Sequence, residues 1–225
     1  MADGSLSSRV YDDILSRILS GRMKPGNVFN RRQIAAELGV SVAPVLEAML
    51  ELEAEGLIQT LPRRGTRVRL PDTQDVWGHT VLRQAIECQA ARLYCGQPIH
   101  RHQSRLHRLA EALDGLPAGS VAQIREEIRF HHYLVSLANC PPLTREFERV
   151  MKLGLLHAVA ALDDDGSGQQ EHVALLAALA TPDPEVAEAT IRRHIRNPVA
   201  VTTASQMQQD EQPVQPAWLG DADGV

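Results

Sequence analysis

The segment that decides the fold runs from residue 25 to residue 68 and reads PGNVFNRRQIAAELGVSVAPVLEAMLELEAEGLIQTLPRRGTRV. Its apolar residues recur at helical spacing in two short stretches, one beginning at Arg31 and one following Ser41. Gly39 separates the two stretches, and Gly56 ends the second. Two short helices joined by a glycine turn are typical of a helix-turn-helix, whose second helix enters the major groove of DNA.

After Gly56 the pattern changes from helical to alternating. Residues 57–70, LIQTLPRRGTRVRL, alternate apolar and polar side chains around Pro62 and Gly65, which predicts two short strands joined by a turn. This hairpin carries four arginines: Arg63, Arg64, Arg67 and Arg69. A solvated basic hairpin is the alternative, but its place directly behind a helix-turn-helix favours contact with phosphates or the minor groove.

One more helix precedes this segment and completes a predicted N-terminal domain over residues 1–70. Val10, Ile14 and Ile18 recur at helical spacing, and the stretch ends at Gly21. Residues 1–70 carry a net charge of +2, whereas the rest of the chain carries −7. The basic excess therefore lies in the part with the DNA-binding pattern, although the whole chain is acidic.

Composition limits the class of protein. A chain of 225 residues with 44% hydrophobic content is long enough for two compact domains, and it has no run of about 18 apolar residues that would predict a membrane span. The N-terminus lacks an apolar signal-peptide core, and the three cysteines, Cys88, Cys95 and Cys140, lack CxxC spacing. We therefore expect a cytoplasmic protein with buried thiols and no membrane partner.

From residue 71 onward the pattern is helical throughout. Apolar residues at spacings of three and four predict six helices, over residues 72–95, 99–113, 119–138, 142–161, 169–180 and 184–204. Glycine, proline and the DDDGSG segment at 163–168 separate them. We expect an all-helical domain over residues 71–205, followed by a polar, proline-containing tail over 206–225 that is predicted to be disordered.

Four residues of this helical half suggest a metal site. Glu127 and His131 are four apart and share one helical face, and His172 and His194 lie in two further predicted helices. Three imidazoles and a carboxylate suit a divalent cation such as Zn²⁺, Ni²⁺ or Mn²⁺, with positions open for water or an organic acid. His132 lies about 100° around the helix from His131 and is not expected to reach the same ion. The remaining histidines are interpreted as surface or core residues.

The N-terminal half resembles the DNA-binding domain of GntR-type transcriptional regulators. The resemblance rests on the PG turn, the ELGVS turn, the PVLEA helix, the EGLI strand and the RRGT wing tip. It implies an operator-binding homodimer with the second helix in the major groove and the wing glycine near the minor groove. The candidate DNA contacts are Arg31, Arg32, Ser41, Arg63, Arg64 and Gly65.

The recognition helix departs from that family's pattern. Two positions at which the family usually has arginine are Val42 and Leu46, and Ala43 replaces a usual small hydroxyl residue. Arginine binds guanine edges bidentately, each pair being worth about 1–3 kcal/mol of base discrimination. This helix is therefore expected to recognise DNA weakly or differently, while the remaining candidates position the domain on phosphates.

The helical half resembles the effector domain of the FadR-like (FCD) branch of the same superfamily. The motifs EIRFH, EHVALLAAL and IRRHI correspond to that branch's metal ligands and imply Glu127, His131, His172 and His194, with glutamate in place of the usual aspartate. The resemblance also implies effector contacts by Arg83 and Asn139. Arg83 would pair with a carboxylate of the effector. An ordinary surface ion pair between Arg83 and Glu87 is an equal alternative.

Three functions are compatible with these patterns. The first is a transcription factor whose metal-bound small carboxylate effector changes operator binding. The second, motivated by Val42 and Leu46, is a regulator scaffold that has become a metal-dependent binding protein or enzyme. The third is a dimerising adaptor without metal. The chain has no phosphate loop, no GxGxxG and no recognisable Ser-His-Asp order, so no separate catalytic motif is predicted.

Overall fold

The computed structural model describes residues 5–117, 120–160 and 171–195. The described residues form a mainly α-helical fold, with a small antiparallel sheet in the N-terminal head. The elements are α1 (Leu6–Leu19), β1 (Val28–Phe29), α2 (Arg31–Leu38), α3 (Val42–Ala54), β2 (Ile58–Leu61), β3 (Gly65–Val68), α4 (Thr73–Tyr94), α5 (Gln97–Asp114), α6 (Val121–Ser136), α7 (Pro141–Ala160), α8 (His172–Leu179) and α9 (Pro184–His194).

The head is a winged helix-turn-helix, as the sequence predicts. Asn30 begins α2 by accepting a hydrogen bond from the backbone N–H of Gln33, and Gly39 ends the helix with a left-handed φ of 65°. The strands β2 and β3 form an antiparallel hairpin in which Ile58 pairs with Val68. The apolar faces of α1 and α3 pack on each other and on this hairpin to form the core of the head.

The sheet of the head has a third strand that was not predicted. β1 lies against β3 in the order β1-β3-β2, with Val28 opposite Arg67 and Phe29 opposite Thr66. Two residues are too few to show an alternating pattern, so the strand depends on its partner. Its approach explains Gly65, where φ is 101° and a Cβ would lie 2.8 Å from the carbonyl oxygen of Phe29.

The tip of the wing is a tight turn with an unusual backbone at Arg63. The N–H of Arg64 donates to the carbonyl of Leu61 at 2.9 Å, which places Pro62 and Arg63 at the two central positions. Arg63 has a φ of 62°, a conformation that costs a residue with a Cβ roughly 1 kcal/mol. The wing therefore keeps an arginine at a position where glycine would be the less strained residue.

The helical half contains all six helices predicted for it, α4 to α9. α4 begins with a capping box in which Asp72 and Asp75 each accept a hydrogen bond from the other's backbone N–H. The predicted domain boundary between residues 70 and 71 falls in the segment that joins β3 to α4. The DDDGSG segment, the predicted extension of the last helix to residue 204 and the predicted disordered tail over 206–225 lie outside the described residues.

The two halves have separate hydrophobic cores, and α7 reaches both. Phe147 and Met151 pack in the core of the helical half, whereas Leu156 is fully buried in the core of the head. Among the described residues, no helix is both long and apolar enough to cross a membrane. The position of α7 makes it the direct packing connection between the site described below and the head.

Candidate functional site

Three histidines from three helices converge inside the helical half. His131 lies in α6, His172 is the first residue of α8 and His194 is the last residue of α9. One ligand atom from each lies within 4.8 Å of one from the other two, and the Nε2 atoms of His131 and His194 are 3.2 Å apart. His131 and His172 are almost completely buried. The predicted convergence of these three rings is present in the structure.

Packing orients these imidazoles. The ring of Phe130 lies edge to face against His131 and His172, with centroid distances of 5.3 Å and 5.1 Å. The ring of His194 stacks on that of His131 at 5.1 Å with an interplanar angle of 30°. Phe130 is itself completely buried. Because these rings contact one another in a close-packed interior, their orientation is set before any ligand binds.

Two carboxylates contact the Nδ1 atoms of His131 and His172, which are called the outer nitrogens; the Nε2 atoms are called the inner nitrogens. Nδ1 of His131 lies 2.5 Å from Oε2 of Glu87, a residue of α4 that is only 2% exposed. Nδ1 of His172 lies 2.7 Å from Oδ1 of Asp114. The same carboxylate accepts from two backbone N–H groups, that of His172 at Oδ1 and that of Val173 at Oδ2. Carboxylates that accept from metal-binding histidines fix the tautomer and raise the basicity of the inner nitrogen.

The Nε2 atoms of His131 and His172 therefore carry lone pairs. When Nδ1–H donates to a carboxylate, a neutral imidazole has an unprotonated Nε2. Nε2 of His172 is buried and has no hydrogen-bond partner. Nε2 of His131 and of His194 lie 3.2 Å apart, a distance at which two lone pairs need a shared proton or a cation. Two nitrogen ligands at about 2.1 Å from one ion are roughly 3.0–3.4 Å apart, so the spacing fits a metal.

The surroundings keep two of these rings neutral. Burial, followed by the neighbouring charges of His131 and His172, lowers the pKa of His194 to about 2. Burial also lowers the pKa of His172, although its hydrogen bond to Asp114 opposes the shift. Metal ligation requires the unprotonated imidazole. The site therefore offers lone pairs at neutral pH, which is the state that a cation needs.

Glu127 lies beside the three histidines but outside their group. Its Oε1 accepts from Nη1 of Arg83 at 3.2 Å. Burial tends to raise the pKa of Glu127, but its interactions with Arg83, His131 and His172 outweigh burial and lower it. The carboxylate is thus ionised and close enough to the histidines to interact with them electrostatically. Its role as fourth ligand stays a prediction, since it pairs with Arg83 in this structure.

Arg83 lies between the two carboxylates next to the site. Its Nε donates to Glu87 at 2.6 Å, and its side chain is only 13% exposed. The i,i+4 ion pair between Arg83 and Glu87 is present but buried rather than on the surface, and contact of Arg83 with an effector stays a prediction. Nη2 of Arg83 is buried and has no hydrogen-bond partner. A guanidinium with one unused nitrogen beside the three histidines is suited to bind an anionic group.

Asn139 lies away from the histidines. It follows the end of α6 with a positive φ of 49°, a left-handed conformation that asparagine tolerates well. It lines a surface groove of about 300 Å³ together with Ser136, Thr144 and Arg145, whose lining includes none of the three histidines. Its contact with an effector stays a prediction. His132 also points elsewhere, toward Glu148 at 2.8 Å.

The sequence motifs do not reveal the two carboxylates that contact the histidines. One signal was available for Asp114, because it is the last residue of α5 and a carboxylate is unfavourable at a helix C-terminus unless it has a partner. For Glu87 the signal was its place on the same helical face as the buried Ala90 and Tyr94. Neither signal identifies the histidine that each carboxylate contacts.

The candidate DNA contacts lie on the surface of the head. Arg31 and Arg32 begin α2, Ser41 precedes α3, and Arg63 and Arg64 form the wing tip; all five are exposed. The side chain of Ser41 makes no capping hydrogen bond to α3. Gly65 is explained by its close approach to β1, so its role is structural whether or not DNA lies nearby. The roles of all six in DNA binding stay predictions.

We expect Arg63→Gly to stabilise the head and weaken DNA binding. Glycine adopts a φ of 62° without the steric cost that arginine bears, so the midpoint of thermal unfolding should rise. The gain is roughly 1 kcal/mol, reduced by the larger conformational entropy that glycine gives the unfolded chain. Loss of the charge should reduce affinity for duplex DNA and the dependence of that affinity on salt. The matched control is Arg145→Gly in α7, which removes an arginine outside the head. Unchanged DNA affinity for Arg63→Gly would show that the wing tip does not contact the phosphates.

A winged helix-turn-helix joined to an all-helical domain defines a class of two-domain DNA-binding transcriptional regulators. Residues 6–68 match the family described as bacterial regulatory proteins, gntR family, and residues 80–197 match the FCD domain. The chain therefore belongs to the GntR family and carries an FCD domain. The resemblance stated from the sequence motifs is confirmed in both halves.

Known relatives agree with this assignment. The chain is 30% identical over 197 residues to a probable D-xylose utilization operon transcriptional repressor of Paenarthrobacter nicotinovorans, covering 85% of this chain and 86% of the relative. Its fold is similar to a crystal structure of a putative GntR transcriptional regulator from a Rhodococcus species, with a TM-score of 0.70 and 22% identity over 93% of this chain and all of that one. Escherichia coli McbR/YncC gives a TM-score of 0.67 at 22% identity, over 92% of this chain and all of that one.

These relatives bear on the choice between regulator and enzyme. Homologues and structural neighbours are transcriptional regulators rather than enzymes. The hypothesis of a regulator scaffold converted to catalysis therefore loses its support, although the exposed Val42 and Leu46 that motivated it still require an explanation.

Proposed function

We propose that this GntR-family regulator holds one divalent metal ion on His131, His172 and His194, with Glu127 as a fourth ligand. We further propose that a small organic acid binds beside the ion and alters operator binding by a cytoplasmic homodimer. The observation that carries the proposal is the convergence of three imidazole rings, two of which, His131 and His172, already have Nδ1 held by a carboxylate.

The donor set favours a borderline transition-metal ion. Neutral imidazoles suit Zn²⁺, Ni²⁺ and Mn²⁺ better than Mg²⁺ or Ca²⁺, which prefer oxygen ligands. A buried Nε2 without a partner, as in His172, is costly unless a cation or a proton satisfies it. A bound ion would satisfy all three inner nitrogens and supply a Lewis acid that attracts carboxylate oxygens.

The effector is proposed to be a small carboxylate because of Arg83. Its guanidinium is fixed by ion pairs to Glu87 and Glu127, and its Nη2 has no hydrogen-bond partner. A carboxylate could place one oxygen on the ion and the other on Arg83. A neutral ligand would lack the charge attraction to the metal ion and to Arg83, and a cationic ligand would be repelled by the ion and by Arg83.

A structural change caused by the bound effector would be transmitted to the head through α7. This helix packs on α4, which carries Arg83, and on α6, which carries His131. At its other end Nζ of Lys152 donates to Tyr11 at 2.5 Å and to Glu55 at 2.7 Å in the head. An effector changes DNA binding only if it binds one arrangement of these helices better than another.

The proposed homodimer is supported by an apolar surface on α4. Val81, Leu82 and Leu93 are 42%, 54% and 48% exposed. They lie on the outer side of the helix, whose inner side packs on α6, α7 and α9. Large apolar side chains exposed on one helix are the residues that a dimer interface would cover. A dimer would also present two recognition helices, which an operator of useful specificity requires.

Elemental analysis of the purified full chain tests the metal site. We expect about one transition-metal ion per chain, and less than a tenth of that for His172→Ala or His194→Ala with helical content retained. His132→Ala is the matched control, since its ring faces Glu148 beside the site and its metal content should equal that of the wild type. Stoichiometric metal in both site variants would defeat the assignment.

A further inference from the structure

We propose that the recognition helix α3 selects its DNA through apolar contacts to thymine methyl groups, made by Val42 and Leu46. The proposal rests on the DNA-binding function of the family and names the chemical group that this head recognises. It follows from the residues that α3 exposes and from the exposed arginines of the same head.

α3 exposes an apolar stripe. Val42, Leu46 and Leu50 lie four residues apart along one face and are 38%, 39% and 58% exposed. The adjoining face packs in the core of the head, where Val45 and Leu52 are completely buried. Because that packing fixes the rotation of the helix, the stripe is held outward rather than turning inward to join the core.

Exposed arginines elsewhere on the head point to a polyanion as the partner. Arg31 and Arg32 begin the preceding helix, and Arg63 and Arg64 form the wing tip on the same head. An apolar protein surface would have no need of these arginines, whereas DNA phosphates do. In the major groove of DNA the apolar group that a side chain can contact is the C5 methyl of thymine.

The composition of α3 excludes the usual contact with guanine. The helix reads VAPVLEAMLELEA and contains no Lys, Arg, Asn or Gln. It therefore lacks any side chain that could donate to O6 and N7 of guanine or make the paired contact with adenine. Glu47 is exposed but, as a carboxylate, can only accept hydrogen bonds, for which cytosine N4 is the suitable donor. What remains for recognition by α3 is shape, methyl contact and an acceptor contact from Glu47.

The spacing of the two side chains fits adjacent base steps. At 1.5 Å rise per residue, Val42 and Leu46 lie about 6 Å apart along the helix axis. Successive base pairs are separated by about 3.4 Å, so the two side chains span roughly two steps. Both belong to the N-terminal half of the helix, the part that reaches base edges in helix-turn-helix proteins. Each half-site is thus expected to contain two thymines one or two steps apart.

Removing thymine methyls from DNA tests the proposal. The full-length protein first selects its preferred duplex from a random-sequence pool, and the selected thymines are then replaced one at a time by deoxyuridine, which differs only in lacking the methyl. We expect about a fourfold loss of affinity at each contacted thymine, the value for one buried methyl-sized group. In Val42→Ala and Leu46→Ala the loss at the corresponding position should disappear.

Arg63→Ala is the matched control, because it should weaken binding to thymine and deoxyuridine duplexes equally. A preferred duplex that binds equally well with either base would overturn the methyl contact and leave DNA binding intact. If selection yields no preferred duplex, the result contradicts both the proposed base recognition by α3 and sequence-specific DNA binding by this protein. If Leu46→Ala changes only self-association and not the thymine preference, the stripe is a protein interface and the proposal is wrong.

Discussion

Glu87→Gln is expected to lower the free energy of unfolding by roughly 3 kcal/mol and metal affinity by 10–100-fold. Burial by itself raises the pKa of Glu87, but His131 and Arg83 outweigh burial and bring it to about 2. The carboxylate therefore carries a full charge at neutral pH. An amide of the same shape removes that charge and leaves the buried Arg83 paired with Glu127 alone.

The loss of affinity for metal has a separate cause. The Glu87 carboxylate accepts from Nδ1 of His131 and so keeps Nε2 unprotonated toward the other histidines. A glutamine can present its NH₂ group to His131 instead, which favours the wrong tautomer. Urea unfolding at neutral pH measures the stability change, and a competitive metal titration measures the affinity.

The matched control is Glu148→Gln. Glu148 also accepts from a histidine, His132, but both side chains are at least 40% exposed. An exposed pair contributes little, so this variant should stay within about 0.5 kcal/mol of the wild type and keep its metal affinity. If the two variants behave alike, the buried carboxylate does not orient His131 as inferred from the geometry.

Leu156→Ala is expected to cost about 2–5 kcal/mol and to separate the unfolding of the head from that of the helical half. Leu156 is completely buried in the core of the head, although it belongs to α7. Truncating it leaves a cavity beneath α1 and α3 and removes the main apolar contact between the halves. What remains is the partly buried Leu153 and the polar contacts of Lys152 with Tyr11 and Glu55.

Thermal unfolding followed by calorimetry distinguishes these effects. The wild type should show coupled transitions, and the variant should show a lower transition for the head with the helical half almost unchanged. Leu50→Ala, a helical leucine that is 58% exposed, should shift neither transition by more than about 0.5 kcal/mol. A single transition in Leu156→Ala, lowered as a whole, would mean that α7 does not form the principal link between the halves.

Much of the fold was predictable because it depends on neighbours in sequence. The helix-turn-helix follows from apolar spacing and from Gly39, and the six later helices follow from the same spacing between glycine and proline breaks. The strand β1 was not predictable, since its two residues pair with β3 and carry no pattern of their own. The turn at Arg63 was placed correctly, but its positive φ was not foreseen.

The candidate site was also predictable only in part. The sequence alone identified the three histidines, because each lies in a helix with a recognisable motif, and it identified Arg83 as a residue near them. Only the tertiary structure decided which carboxylates hold the rings and that Glu127 pairs with Arg83 rather than lying among the histidines. Glu87 lies 44 residues before His131, and Asp114 lies 58 residues before His172. Helical periodicity states which face of a helix a residue occupies, whereas the contacts between faces depend on how the helices pack, and that is a property of the whole core.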